Sequence, residues 1–220
     1  MFQGLSADAY HYLWEIGLNN NIEFYQATKE RYRNSLYEPL CRLADALAPT
    51  VADIDDRLST RYSHVVSRLR RDTRFTRDKS PYRDHAWLHF RLPGVRSSEC
   101  FVLYAEFERE SYGYGIGMYG PQPELMQAMR ERMLARPNTF LSMVSEPAFA
   151  AKFHLQGESF KRTRYQDMPE ALRPYLNMRS ISFCFSSPEL KRTMRPELAD
   201  EIIEAFEQLR PVYRFLAGLD

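Results

Sequence analysis

The 220-residue sequence predicts an α+β fold in a single domain spanning residues 1–220. It reads as a largely antiparallel central sheet of about five strands, with N-terminal, middle and C-terminal helices. Three observations predict this. Apolar residues recur at helical spacing through residues 5–55. Between about residues 60 and 190 several short segments alternate apolar and polar positions with a period of two, the mark of strands with one buried face. From Pro196 onward the helical spacing returns.

Each element has its own signal. Ser6 is a suitable N-cap for a first helix carrying Tyr10, Leu13, Trp14 and Leu18 on one side. Asn19-Asn20-Asn21 breaks that helix and caps a second, whose stripe is Phe24, Tyr25, Thr28, Tyr32 and Leu36. Pro39 opens a third, with Leu40, Leu43, Leu47 and Val51 facing inward. These helices form an N-terminal layer over about 5–55, and the sheet with its covering helices takes about 60–220. Val65, Val66 and Leu69 predict a strand entering a charged loop, and 86–92 the strand leaving it. Strands follow at 101–107 and at 112–119, the latter with glycine at alternate positions. Helices are expected over 121–135, 138–153 and 169–176. Ile181, Phe183 and Phe185 give a strand at 179–186, and 196–219 closes the chain as a helix with a break expected at Pro211. No internal repeat or low-complexity linker interrupts the chain.

Composition bounds the function. Hydrophobic content of 44% and charged content of 27% are ordinary for a globular domain, and a chain of this size buries about 70% of its unfolded surface. No window approaches the ~18 apolar residues of a membrane span, and the first residues lack a signal-peptide pattern. Cys41, Cys100 and Cys184 are odd in number and far apart, so neither a disulfide framework nor a thiolate zinc site is indicated. Free thiols suit a cytoplasmic location. No cofactor is expected. The net charge of +1 is unevenly spread: residues 57–96 hold eleven Lys/Arg and three Asp, a local +8, so the rest of the chain carries −7. Such asymmetry suits a bound anion, and it equally suits pairing between the two parts.

The densest part of that basic segment is 71–85, which holds five cations, three carboxylates and a proline turn. It has two readings. In the first, Arg71, Arg74, Lys79 and Arg83 converge on a phosphate or carboxylate, which a guanidinium fork grips in bidentate fashion. Tyr82 adds a hydroxyl, the aspartates orient the arginines, and Asp78 or His85 handles protons if there is chemistry. In the second, the segment is a structural clasp in which arginines bridge aspartates and carbonyls while Phe75 and Tyr82 plug the core.

Other motifs point to less. Gly115-Ile116-Gly117-Met118-Tyr119-Gly120 matches a dinucleotide fingerprint, but its glycines alternate as along one face of a strand, which suggests close packing against a helix or a ligand. His85 and His89, four apart on a strand, stand ~13 Å from each other and share no metal ion. Cys184, between Phe183 and Phe185, reads as a packing residue, and Trp14, Phe24 and Tyr25 as core. Basic residues interleaved with Phe75, Tyr82 and Trp87 fit a nucleic-acid binder in part, although the sequence pI of 7.7 is low for one.

The stretch Arg71-Asp72-Thr73-Arg74-Phe75 followed by Asp78-Lys79-Ser80-Pro81-Tyr82-Arg83 resembles the signature of an uncharacterised bacterial family, domain of unknown function 2461. Asn20-Asn21-Ile22-Glu23-Phe24-Tyr25, the segment from Gly117 to Leu125 with Arg130, and the pairs Lys161-Arg162 and Arg179-Ser180 resemble further motifs of it in the same order. Phe24-Tyr25 stands where that family has Trp-Phe, and Thr163-Arg164-Tyr165 lacks its proline and glycine. The resemblance implies a compact α+β domain and carries no activity. The expected site is therefore the 71–83 loop, with Tyr119 and the 121–123 turn as a wall and Lys161 and Arg179 as outlying cations. The leading expectation is a small anionic ligand, the reaction and the oligomeric state being unassigned. The alternatives are a protein–protein interaction module whose charged loop is structural, and nucleic-acid binding.

Overall fold

Ser6 accepts the Ala9 N–H through its hydroxyl and starts α1 (Ala7–Leu18), which buries Tyr10, Leu13 and Ile16. Asn21 caps α2 (Ile22–Tyr32) by accepting the Phe24 N–H at 2.8 Å. A wide turn of π-helix over Arg33–Tyr37 feeds α3 (Glu38–Ile54), whose inner stripe is Leu40, Leu43, Leu47, Val51 and Ile54. The computed structural model describes residues 1–74 and 76–219. After the single turn α4 (Tyr62–Val65) and the charged loop come β1 (Ala86–Phe90), β2 (Val102–Phe107) and β3 (Tyr112–Gly117). Then follow α5 (Pro123–Ala135), α6 (Pro137–Val144), α7 (Pro147–Lys152), β4 (His154–Gln156), α8 (Arg173–Leu176), β5 (Ser182–Ser187) and α9 (Leu198–Ala217).

The five strands form one antiparallel sheet in the order β1-β2-β3-β5-β4. Leu88, Leu103, Ala105, Phe107, Tyr112, Tyr114 and Ile116 project from one face into the main core. There Phe206 of α9 meets Phe90 edge-on at 6.2 Å, and Tyr213 stacks on Phe101. One apolar cluster runs from Phe2 to Leu216. This is the α+β architecture that the alternating segments predicted. Among the described residues no helix is long and apolar enough to cross a membrane.

Four elements depart from expectation, each for a local reason. The strand expected at Val65–Leu69 is replaced by α4 and an isolated pairing of Val66 with Leu88. The Ser67 hydroxyl accepts the Trp87 N–H at 3.0 Å, where a continued ladder would use a carbonyl. The helix expected over 138–153 is two helices, because Glu146 caps a new start at Pro147 by accepting the Phe149 N–H. The three-residue β4 is too short to show alternation. Pro211 lies inside α9 without ending it. α9 stops at Gly218, whose φ of +72° is the left-handed conformation of a helix C-terminus.

Candidate functional site

The charged loop is built on a short ribbon. Arg70 pairs with Tyr82, the Arg71 N–H donates to the Pro81 carbonyl at 2.8 Å, and the Arg83 N–H donates to that of Leu69 at 2.9 Å. Asn20 clamps the ribbon to α1 and α2. Its oxygen accepts the Tyr82 N–H and its amide donates to the Tyr82 carbonyl, both at 2.9 Å. The Tyr82 ring stacks on Tyr25 with centroids 4.6 Å apart in a small cluster with Tyr12, Ile16 and Leu69. Only 5% of Tyr82 is exposed, and it lines none of the hollows described below.

Beyond the ribbon the tip satisfies itself. The Arg74 guanidinium forks onto Asp72 at 2.9 and 2.7 Å and holds that carboxyl down at about 2. Lys79 donates to the Thr73 carbonyl at 2.8 Å. Asp78 takes a bond from Arg71 and two from Ser80, and its pKa is lowered by Arg71 first and Ser80 next. Asp78 is thus engaged within the loop itself. Arg74 and Lys79 line none of the hollows described below. Phe75, expected as a core plug, lies outside the described residues.

The second face of the sheet carries polar and aromatic side chains. Strand pairing sets Trp87 opposite Glu106 and His89 opposite Tyr104. It continues Glu106 to Gly113 and Tyr104 to Gly115, then Gly115 to Cys184. A Cβ on Gly115 would come within 2.3 Å of the Phe183 carbonyl oxygen, so these glycines admit the β5 main chain and hold no helix or ligand, a correction to the packing expected. Gly115 and Gly117 lie in β3 between antiparallel neighbours, and not in the parallel strand–helix–strand unit that a dinucleotide site requires. His85, Trp87 and His89 form a ladder of near-parallel rings 5.4 and 5.3 Å apart. Burial, and then Arg91, push His89 down to about 3, so it is neutral, and its buried Nδ1 has no partner. Glu106 opens to solvent but is walled by protein on most sides. That burial, and then Glu108, push its carboxyl up. Burial also raises the Cys184 thiol, as befits a packing cysteine.

Two adjoining hollows flank Trp87. The first, about 620 Å³, is lined by Arg68, Arg70, Arg71, Arg83 and Arg91, with Asp72 the one carboxylate in its wall. The second, about 690 Å³, lies over the sheet and is lined by Arg71, Arg83, Asp84, His85, Glu106, Glu108 and Tyr119 among others. Arg71, Asp72, Arg83, Trp87 and His89 belong to both. Arg83 donates from Nη1 to the carbonyls of Arg68 and Arg70 at 2.7 and 2.6 Å. Its guanidinium lies 4.9 Å from the Trp87 centroid, and burial and then Arg71 lower its pKa. The guanidinium groups of Arg68 and Arg70 meet no acceptor among the described residues. A third hollow of about 610 Å³ holds Pro121, Pro123, Arg130, Lys161, Arg164 and Arg179, with Arg179 paired to Glu158 at 3.1 Å.

The expected site is thus divided. Arg71, Asp78, Arg83, His85 and Tyr119 border the hollows at the sheet, whereas Lys161 and Arg179 border another with the 121–123 turn. Sequence reasoning missed Arg68, Arg70, Arg91, His89 and Glu106 as lining residues. The signal for His89 and Glu106 was their position on the polar side of alternating strands. Among the described residues no group of three or more His, Cys, Asp or Glu is arranged to hold a metal ion. Compared with known families, residues 8–215 match the one described as conserved hypothetical protein (DUF2461). No curated protein matches the chain.

Proposed function

We propose that this chain, which belongs to the conserved hypothetical protein family DUF2461, binds a small phosphate- or carboxylate-bearing ligand in the hollow between the loop base and β1. The observation that carries the proposal is the charge balance of the first hollow, five guanidinium groups against one carboxylate. That carboxylate, Asp72, is already engaged by Arg74. Like charges gathered in a recess repel one another, and an anion among them relieves the repulsion while taking up unused donors. Arg83, fixed by two carbonyls and resting on Trp87, is a pre-organised fork. A recess of several hundred Å³ suits a metabolite better than an extended nucleic-acid strand.

Isothermal titration at low ionic strength with inorganic phosphate, sugar phosphates and dicarboxylates tests the reading. At least one class binds, and Arg70→Ala weakens it about tenfold, or ~1.4 kcal/mol. Absence of binding by every class, or an unchanged affinity in Arg70→Ala, overturns the proposal. The self-satisfied, exposed tip favours a second reading for residues 72–80 alone, as a surface for a partner protein. If the ligand is a substrate, His85 and Glu106 are the groups available for proton exchange.

A further inference from the structure

We infer that the ligand is bipolar, with its anionic group among the arginines and an ammonium group at its other end against Glu106 and Glu108. The inference rests on the anion reading above and adds the chemistry of the far end. The two hollows adjoin, with Arg71, Asp72, Arg83, Trp87 and His89 in the walls of both, so a ligand held at their shared rim by Arg71 and Arg83 has its other end beside the second. Along that path the wall changes sign. Asp84 is accounted for by His85 at 3.1 Å and Arg109 at 3.5 Å. Glu106 and Glu108, at alternate positions along one chain segment, have no ion-pair partner among the described residues, where the one hydrogen bond to either carboxylate is a long one of 3.5 Å from the Ser111 hydroxyl to Glu108.

Two like charges side by side on a walled floor are costly to the fold, and a neutral pair would serve packing as well. Burial, and then Glu108, raise the Glu106 carboxyl. His89 lines both hollows where they adjoin, and burial, then Arg91, keep its ring neutral, so it places no competing cation beside the two glutamates. An organic ammonium fits better than a metal ion, since no chelating group of three or more side chains is present among the described residues.

The test uses the full chain and matched pairs of probes that differ only in the amine. One pair is glucosamine 6-phosphate and glucose 6-phosphate; the other, more flexible, is 4-aminobutyl phosphate and butyl phosphate. Inorganic phosphate is the reference. In titration calorimetry the amine member of at least one pair binds about tenfold more tightly. In the doubly substituted Glu106→Gln, Glu108→Gln protein that advantage disappears while the amine-free member keeps its affinity to within about twofold. Arg83→Met weakens both members. If inorganic phosphate binds but neither pair shows an amine advantage, or the advantage survives the double substitution, the bipolar inference falls and the anion reading stands. If neither phosphate nor any probe binds, both fall.

Discussion

Arg74 and Arg83 are nine residues apart in one loop and meet opposite fates. Asp72 sits two residues before Arg74 and captures it, whereas Arg83 has no ion-pair partner among the described residues and meets the Arg68 and Arg70 carbonyls and the Trp87 ring. Arg74→Met is therefore expected to leave phosphate affinity within about twofold, and Arg83→Met to weaken it by about tenfold or more, both read by calorimetry. The crowding of charge over 71–85 pointed to the side of the fold where the proposed site lies. Which cations face it was not legible, because that depends on which side of the ribbon each residue projects from. His89 carries a pH signature. Its value of about 3 in the fold lies below the ordinary 6.5, so between those limits the unfolded chain binds the extra proton. Stability is intact above about pH 6.5 and falls as the pH drops toward 3, by up to ~1.4 kcal/mol per unit. Urea titrations at pH 7 and 5 check this, since His89→Gln loses less on acidification than the parent. Glu106 has the opposite sign: with its value raised, stability is present at low pH and lost as the pH rises through the folded value. Glu106→Gln consequently raises Tm at pH 7.

The ribbon from Leu69 to Arg83 owes its position to Asn20 and Tyr82. Asn20→Ala removes both bonds to the Tyr82 main chain and costs about 1–2 kcal/mol. Tyr82→Ala empties the space on Tyr25 and costs about 3 kcal/mol; denaturant titration ranks the two. In β3, Gly115→Ala drives a methyl group into the Phe183 carbonyl and costs about 3 kcal/mol or more. Among the elements, α1, α3, β2 and α9 were legible because each has a long, regular apolar period. The entry strand was misread because Val65, Val66 and Leu69 are apolar in either conformation, and the Ser67 side chain decides how they bond to β1. The glycines of β3 were correctly assigned to a strand, but their neighbour, the β5 main chain, is fixed only by pairing across some seventy residues.

At the scale of the whole molecule, helices from both ends of the chain share one apolar cluster with the sheet. Calorimetry should accordingly record one cooperative transition, and resolved melting of 1–55 apart from the remainder would contradict that. The same arrangement leaves β1 outermost in the sheet. Among the described residues its outward main-chain groups are covered by Ser67 and Val66, and those residues continue directly into the arginine wall. The segment that would grip a ligand is also a shield against self-association. A change that loosens it bares a row of amides to which a second copy can add its own strand, so such variants should clump well below the temperature at which the core melts.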